Sequence, residues 1–212
     1  MTTSRKTRAE RLQETRQRLL AAASDIIAQG GVAEATIRGV CQRAGFSQGA
    51  FYTSFASKDD LLLALLDENM QQAISGIEAL LTEPAPAGAE VVDRLVATVV
   101  GLGQNTVAAR LAVELHLHAQ RDPAFSAPHQ RLLDVYYSRF SEVLQALADR
   151  ADCTLLIDAR RFPRMIHTLW LGGVVQGNEA SDDFREALAM TCRAAIRHAR
   201  PKSRDSASVQ AS

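Results

Sequence analysis

Residues 36–62, TIRGVCQRAGFSQGAFYTSFASKDDLL, decide the fold of this chain. Thr36 is placed to cap a short helix that carries Ile37, Val40, Cys41 and Ala44 on one face at helical spacing. Gly45 supplies the left-handed residue that ends it. Ser47 caps a second helix, on which Phe51 and Phe55 lie four apart and share the buried side. The opposite side offers Gln48, Tyr52 and Thr53, which are hydrogen-bonding groups without a carboxylate. Such a surface suits the major groove, where base edges present donors and acceptors and phosphates repel anions. Ser57 with Asp60 three residues on is a capping pattern that starts a third helix. Lys58, in its first turn, can join free N–H groups in holding a phosphate. The spacing predicts a helix-turn-helix.

Outward from this motif, residues 44–65, AGFSQGAFYTSFASKDDLLLAL, resemble the signature of TetR-type bacterial transcriptional regulators. The shared pattern is a Gly turn, a Ser, a Gly, an aromatic pair, a Phe, then Ser-Lys and an acidic pair. Residues 16–31, RQRLLAAASDIIAQGG, are similar to the first helix of that family and the glycines that close it. The resemblance is specific over about residues 14–72; beyond, helical character and the segment ELHLHAQRDP at 114–123 continue it. It implies DNA contacts from the start of the second helix, the exposed side of the third and the lysine opening the fourth. On matching positions these are Thr36, Arg38, Ser47, Gln48, Tyr52, Thr53 and Lys58. The residue before Phe55, often His in such proteins, is Ser54 here, so a phosphate contact by that His is not carried over.

Formal net charge over the 212 residues is zero, so bulk charge selects no partner, but its distribution does. Residues 1–58 hold nine Lys/Arg against four Asp/Glu, and the remainder carries the compensating acidic excess. A basic end on a mildly acidic body is the asymmetry of a DNA-binding arm. No run of 18 apolar residues and no apolar segment behind the N-terminal charges is present, which predicts neither a membrane span nor a secretory signal. Cys41, Cys153 and Cys192 are odd in number and far apart. They read as small buried hydrophobes in a reducing cytoplasm.

The pattern along the chain predicts an all-α protein of about nine helices. A basic arm covers 1–13 and a disordered tail 201–212, and the resemblance implies a DNA-binding head at 14–72 and an effector-binding and dimerisation region at 73–200. Helix 1 carries Leu19, Leu20, Ala23, Ile26 and Ile27 inward and ends at Gly30 and Gly31. Helix 4 is expected over 58–81, with Leu61, Leu62, Leu65, Met70, Ile74 and Ile77 inward. A helix of that length spans about 36 Å, enough to join head and body. Pro84 and Pro86 mark a break at 82–88, and five further helices are expected at 89–103, 106–121, 126–150, 159–178 and 183–199. Pro163 belongs in the first turn of the eighth. No segment alternates long enough to predict a strand.

No Gly-rich phosphate loop, serine elbow or paired acids point to catalysis, so the chain is not read as an enzyme. Glu114 and His118 share a helix face, but no third ligand stands at helical spacing, and neither a metal nor a cofactor is expected. Residues 162–178, FPRMIHTLWLGGVVQGN, are apolar on more than one side, which requires burial on both flanks. The resemblance implies that the last two helices pair with a second subunit, through Gly173, Phe184, Ala187, Thr191 and Ala194. It also implies a cavity among helices 4 to 8 for a small effector, with His116, Phe140, His167 and Trp170 as candidate lining. The function expected is a cytoplasmic, homodimeric transcriptional regulator that binds double-stranded operator DNA, a repressor released by its effector. The alternatives are a helix-turn-helix protein without effector and, less favoured, an all-helical enzyme using the C-terminal cavity.

Overall fold

The computed structural model describes residues 7–84 and 90–198; the expected N-terminal disorder, part of the 82–88 break and the C-terminal tail fall on or extend into residues outside these. Nine α-helices run through the described residues: α1 Arg8–Gly30, α2 Ile37–Ala44, α3 Gln48–Ser54, α4 Lys58–Glu78, α5 Glu90–Gln104, α6 Thr106–Arg121, α7 Pro123–Arg150, α8 Phe162–Gln176 and α9 Asp182–Ala195. A 3-10 turn, Ala79–Leu81, finishes α4. Polar side chains start most of the helices. Thr7 and Glu10 form a reciprocal capping box on α1, and Thr36, Ser47, Ser57, Asn105, Asp122 and Ser181 each accept a backbone N–H. Each such cap contributes about 1 kcal/mol. Pro163 lies in the first turn of α8, where its missing N–H leaves no helical bond unmade.

Two apolar cores lie along α4. Leu61, Leu62, Leu65 and Leu66 enter the first, with Leu19, Leu20, Ile27, Val40, Phe51 and Phe55. Ile74 and Ile77 enter the second, with α5, α7, α8 and α9, and Met70 packs against both. The head is not closed on itself: Leu111, Leu115 and Ala119 of α6 and Phe125 of α7 complete its core. Among the described residues no single helix is long and apolar enough to cross a membrane.

One expectation is corrected. Cys153–Leu155 (β1) and Ile196–His198 (β2) pair as antiparallel strands, Thr154 opposite Arg197, so α9 ends at Ala195 instead of running to 199. Three residues are too few for alternation to register, and partners more than forty residues apart leave no hairpin signal. Burial of Cys153 and Ile196 fixes the register. All three cysteines are buried thiols, and burial pushes each above the ordinary cysteine value.

Candidate nucleic-acid interface and ligand cavity

The turn between α2 and α3 is set by Gly45 at φ 75°, with Phe46 N–H donating to the Cys41 carbonyl at 2.9 Å. Only a residue without Cβ adopts that conformation freely. Phe51 and Phe55 are fully buried beneath α3, with ring centroids 5.6 Å apart. Their burial turns Gln48, Tyr52 and Thr53 outward, and all three are exposed, Tyr52 by 57%. The Thr53 hydroxyl donates to the Gly49 carbonyl at 2.9 Å, which fixes its rotamer and leaves its oxygen lone pairs outward. Thr36 and Ser47 are exposed caps, with their hydroxyls on Gly39 and Ala50 N–H. Arg38 is exposed and meets no carboxylate among the described residues.

Four cations near this face are already committed. Arg16 donates to the Ser54 carbonyl at 3.1 Å and lies 4.3 Å over the Phe55 ring. Arg18 donates to the Ala44 carbonyl at 2.8 Å and stacks on Phe46. Arg43 pairs with Asp25 at 3.2 Å. Lys58, half-buried, donates to the Val32 carbonyl at 2.6 Å, and desolvation draws its pKa below the ordinary lysine value despite the adjacent Asp59. Much of the basic excess of the N-terminal region thus holds the helix-turn-helix together. The N–H of the same Val32 donates to the Glu114 carboxylate at 3.2 Å, so α4 and α6 grip the α1–α2 loop from both sides. Glu114 is occupied there rather than aligned with His118.

Across α4 lies a cavity of about 150 Å³ bounded by helices α4 to α8. Phe140, His167 and Trp170 line it as expected. His116 does not; it borders a separate, more open groove with His129, Tyr137 and Arg164, its ring 5.8 Å from that of His129. The cavity also takes the amides of Asn69, Gln72 and Asn105, which no aromatic-with-polar-edge pattern marks in the sequence, and Tyr136, which fits that pattern and was missed. Trp170 stacks on His167 at 6.0 Å, and its indole N–H is buried without a partner. Tyr137 Oη and His167 Nδ1 are 2.6 Å apart. Burial, reinforced by His116 and His129, lowers the pKa of His167 to about 4. Burial and then Tyr137 raise that of Tyr136 far above the ordinary phenol.

The expected dimer residues divide. Phe184 is buried in the protomer, and a Cβ added at Gly173 would lie 3.0 Å from its ring, so these two pack on one another inside the chain. Ala187, Ala194 and Met190 of α9 are exposed and Thr191 half-exposed, while Met165 and Val175 of α8 are exposed at 40% and 67%. Helical repeat separates the two sets: residues 184 and 188 face inward, residues 187, 190, 191 and 194 outward.

The family described as bacterial regulatory proteins, tetR family, matches residues 19–65. The HTH-type transcriptional regulator UidR of Escherichia coli (strain K12) is 28% identical over 190 residues, covering 87% of this chain and 92% of the relative. The HTH-type nicotine-responsive transcriptional repressor HdnoR of Paenarthrobacter nicotinovorans is 29% identical over 166 residues, covering 77% and 83%. Among solved structures, Salmonella enterica GusR superposes with a TM-score of 0.71 at 20% identity, over 85% of this chain and 94% of that one.

Proposed function

We propose that this chain, which belongs to the TetR family of bacterial regulatory proteins, is a cytoplasmic homodimeric repressor that leaves its operator when a small effector fills the α4–α8 cavity. It is a DNA-binding transcriptional regulator. The observation that carries the finer reading is the position of α4, which starts beside the exposed face of α3 and ends in the wall of the cavity. In this reading Gln48, Tyr52 and Thr53 meet base edges, while Thr36, Arg38, Ser47 and Lys58 meet the backbone. Residues 14–72 form the reader and 73–200 the sensor. Two half-sites on duplex DNA require two copies held about 34–36 Å apart or at a related groove spacing. The exposed apolar faces of α8 and α9 are the surface for that second copy.

The effector fitting this cavity is largely apolar and takes a few hydrogen bonds, from the unpartnered Trp170 indole N–H and the amides of Asn69, Gln72 and Asn105. No enzymatic step is assigned to these groups. The test begins with selection of bound duplexes from a random pool, followed by operator titration with and without candidate effectors. Trp170 fluorescence, from the single tryptophan, reports occupancy. Effector and operator should weaken each other by one common factor of roughly 5–150, because linkage is reciprocal. A tight ligand with a factor of one would make the chain a constitutive DNA-binding protein.

A further inference from the structure

Away from the cavity, and next to Lys58 at the start of α4, three side chains distant in sequence converge where the head meets the body. Asp59 stands in the first turn of α4, His118 in the last turn of α6 and Asp122 at the junction with α7; one donor atom of each lies within 4.8 Å of the other two. The expectation that His118 has no metal-ligand partners rested on helical spacing within α6. The fold supplies one partner at the end of that helix and another from α4.

The geometry of the three groups goes beyond a chance meeting of surface charges. His118 Nε2 is shut off from solvent and makes no hydrogen bond. Its nearest carboxylate oxygen, on Asp59, is 3.6 Å away, too far for a hydrogen bond. Two donors each about 2.0–2.1 Å from a tetrahedral zinc ion lie roughly 3.4 Å apart, so the Asp59–His118 gap is close to that of a shared cation, and the Asp122 oxygen, within 4.8 Å of both, needs to move inward by about an ångström to join them. The buried Phe125 ring, 4.7 Å from the imidazole, holds it in place. Asp122 is anchored as well, one carboxylate oxygen accepting from Ala124 N–H at 2.9 Å and from Phe125 N–H at 3.3 Å. Two of the three ligands are therefore oriented by their own surroundings, as metal ligands are. Lys58, the adjacent cation, is turned to the Val32 carbonyl and acts on Asp59 only through space, without a close ion pair.

We propose that Asp59, His118 and Asp122 bind one divalent transition-metal ion, of the zinc and cobalt class, that clasps the start of α4 to the α6–α7 junction. One imidazole and two carboxylates favour such borderline ions over calcium or magnesium, which prefer oxygen alone. Three protein ligands leave a position for water. The bound ion would stiffen the joint between head and body, and the site stands whether or not the cavity takes an effector.

The test uses the full chain, free of any affinity tag and stripped by chelator, titrated with zinc chloride by calorimetry and with cobalt(II) by visible absorption. One ion per chain is expected, with ligand-field bands for cobalt and a rise in melting temperature with zinc. His118→Ala and Asp59→Asn should each weaken binding at least about tenfold and remove the thermal shift, while circular dichroism shows both variants folded. Asp59→Asn keeps the shape of the side chain and leaves the Ser57 cap intact, so it guards against misfolding in the other variant. Absence of saturable binding below millimolar zinc would overturn the proposal. So would equal affinity in wild type and both variants, since the ion would then sit elsewhere.

Discussion

Lys58 holds the Val32 carbonyl with one of its three N–H groups, which leaves two for a phosphate on the open side of the α4 start. Its replacement should therefore act twice. Lys58→Met is expected to lower unfolding free energy by about 1.5–3 kcal/mol, as for a lost hydrogen bond from a charged donor. It should also weaken binding to every duplex alike and reduce the salt slope by about 0.9, the share of one phosphate. Urea melts and operator titrations across salt separate the two effects, and an unchanged slope would assign Lys58 to Val32 alone. Gln48 and Thr53 differ, because their exposed groups touch nothing whose loss would unsettle the head. Gln48→Ala or Thr53→Ala should cost about 1–3 kcal/mol on the preferred operator, relax base choice, and leave the melting temperature unchanged. A uniform loss over all sequences would move these side chains from bases to backbone.

At the scale of helices, α8 and α9 present one face to the protomer core and another outward, and substitutions on the two faces should fail differently. A methyl at Gly173 would sit 3.0 Å from the Phe184 ring and 3.2 Å from the Glu179 backbone, tighter than packed cores accept. Gly173→Ala is expected to destabilise the protomer by about 1–3 kcal/mol, read by thermal melting. Ala194→Arg projects from the outward face of α9. It should convert a dimer into a monomer in sedimentation while helix content persists; a dimer unaffected by Ala194→Arg would place the interface elsewhere. These two residues also mark how far the sequence is legible. Small residues along 173–194 announce close packing, but period 3.6 alone does not say whether the neighbour is in the same chain or another. The helix-turn-helix was readable because its signals are local: caps, a left-handed glycine and a Phe pair within two turns. The strand pair and the Asp59–His118–Asp122 cluster depend on contacts across tens of residues, which no local pattern encodes. The partner of Glu114, the Val32 N–H of the α1–α2 loop, lies outside any local pattern for the same reason.

Over the whole molecule, the α4–α8 cavity and the groove beside it share a wall of titratable rings that makes folding sensitive to acid. His129 is buried in α7, and desolvation, aided by His116, lowers its pKa to about 4; His167 is lowered to about 4 for similar reasons. Tyr136, Tyr137 and the Arg164–Asp134 pair enclose the same region, and the nearby cation does not favour a second positive charge. In the unfolded chain both imidazoles return to about 6.5. Between those values the unfolded state binds more protons, so stability rises with pH there: it is complete above about 6.5 and lost as pH falls through 4. The slope is at most about 1.4 kcal/mol per pH unit for each histidine. Urea midpoints of the full chain should therefore stay level from pH 8 to 7 and decline steadily from 6.5 toward 4.5, ~2 units below the unfolded value. His129→Asn should remove part of the decline, since an amide can occupy a similar polar site without titrating. His167→Gln should remove another part and also disturb the hydrogen bond with Tyr137, which distinguishes it by a shift in Trp170 emission. If the midpoint of the wild type were flat across this range, the histidines would have to be open to water in the folded protein, and the packed wall between cavity and groove would not exist in solution.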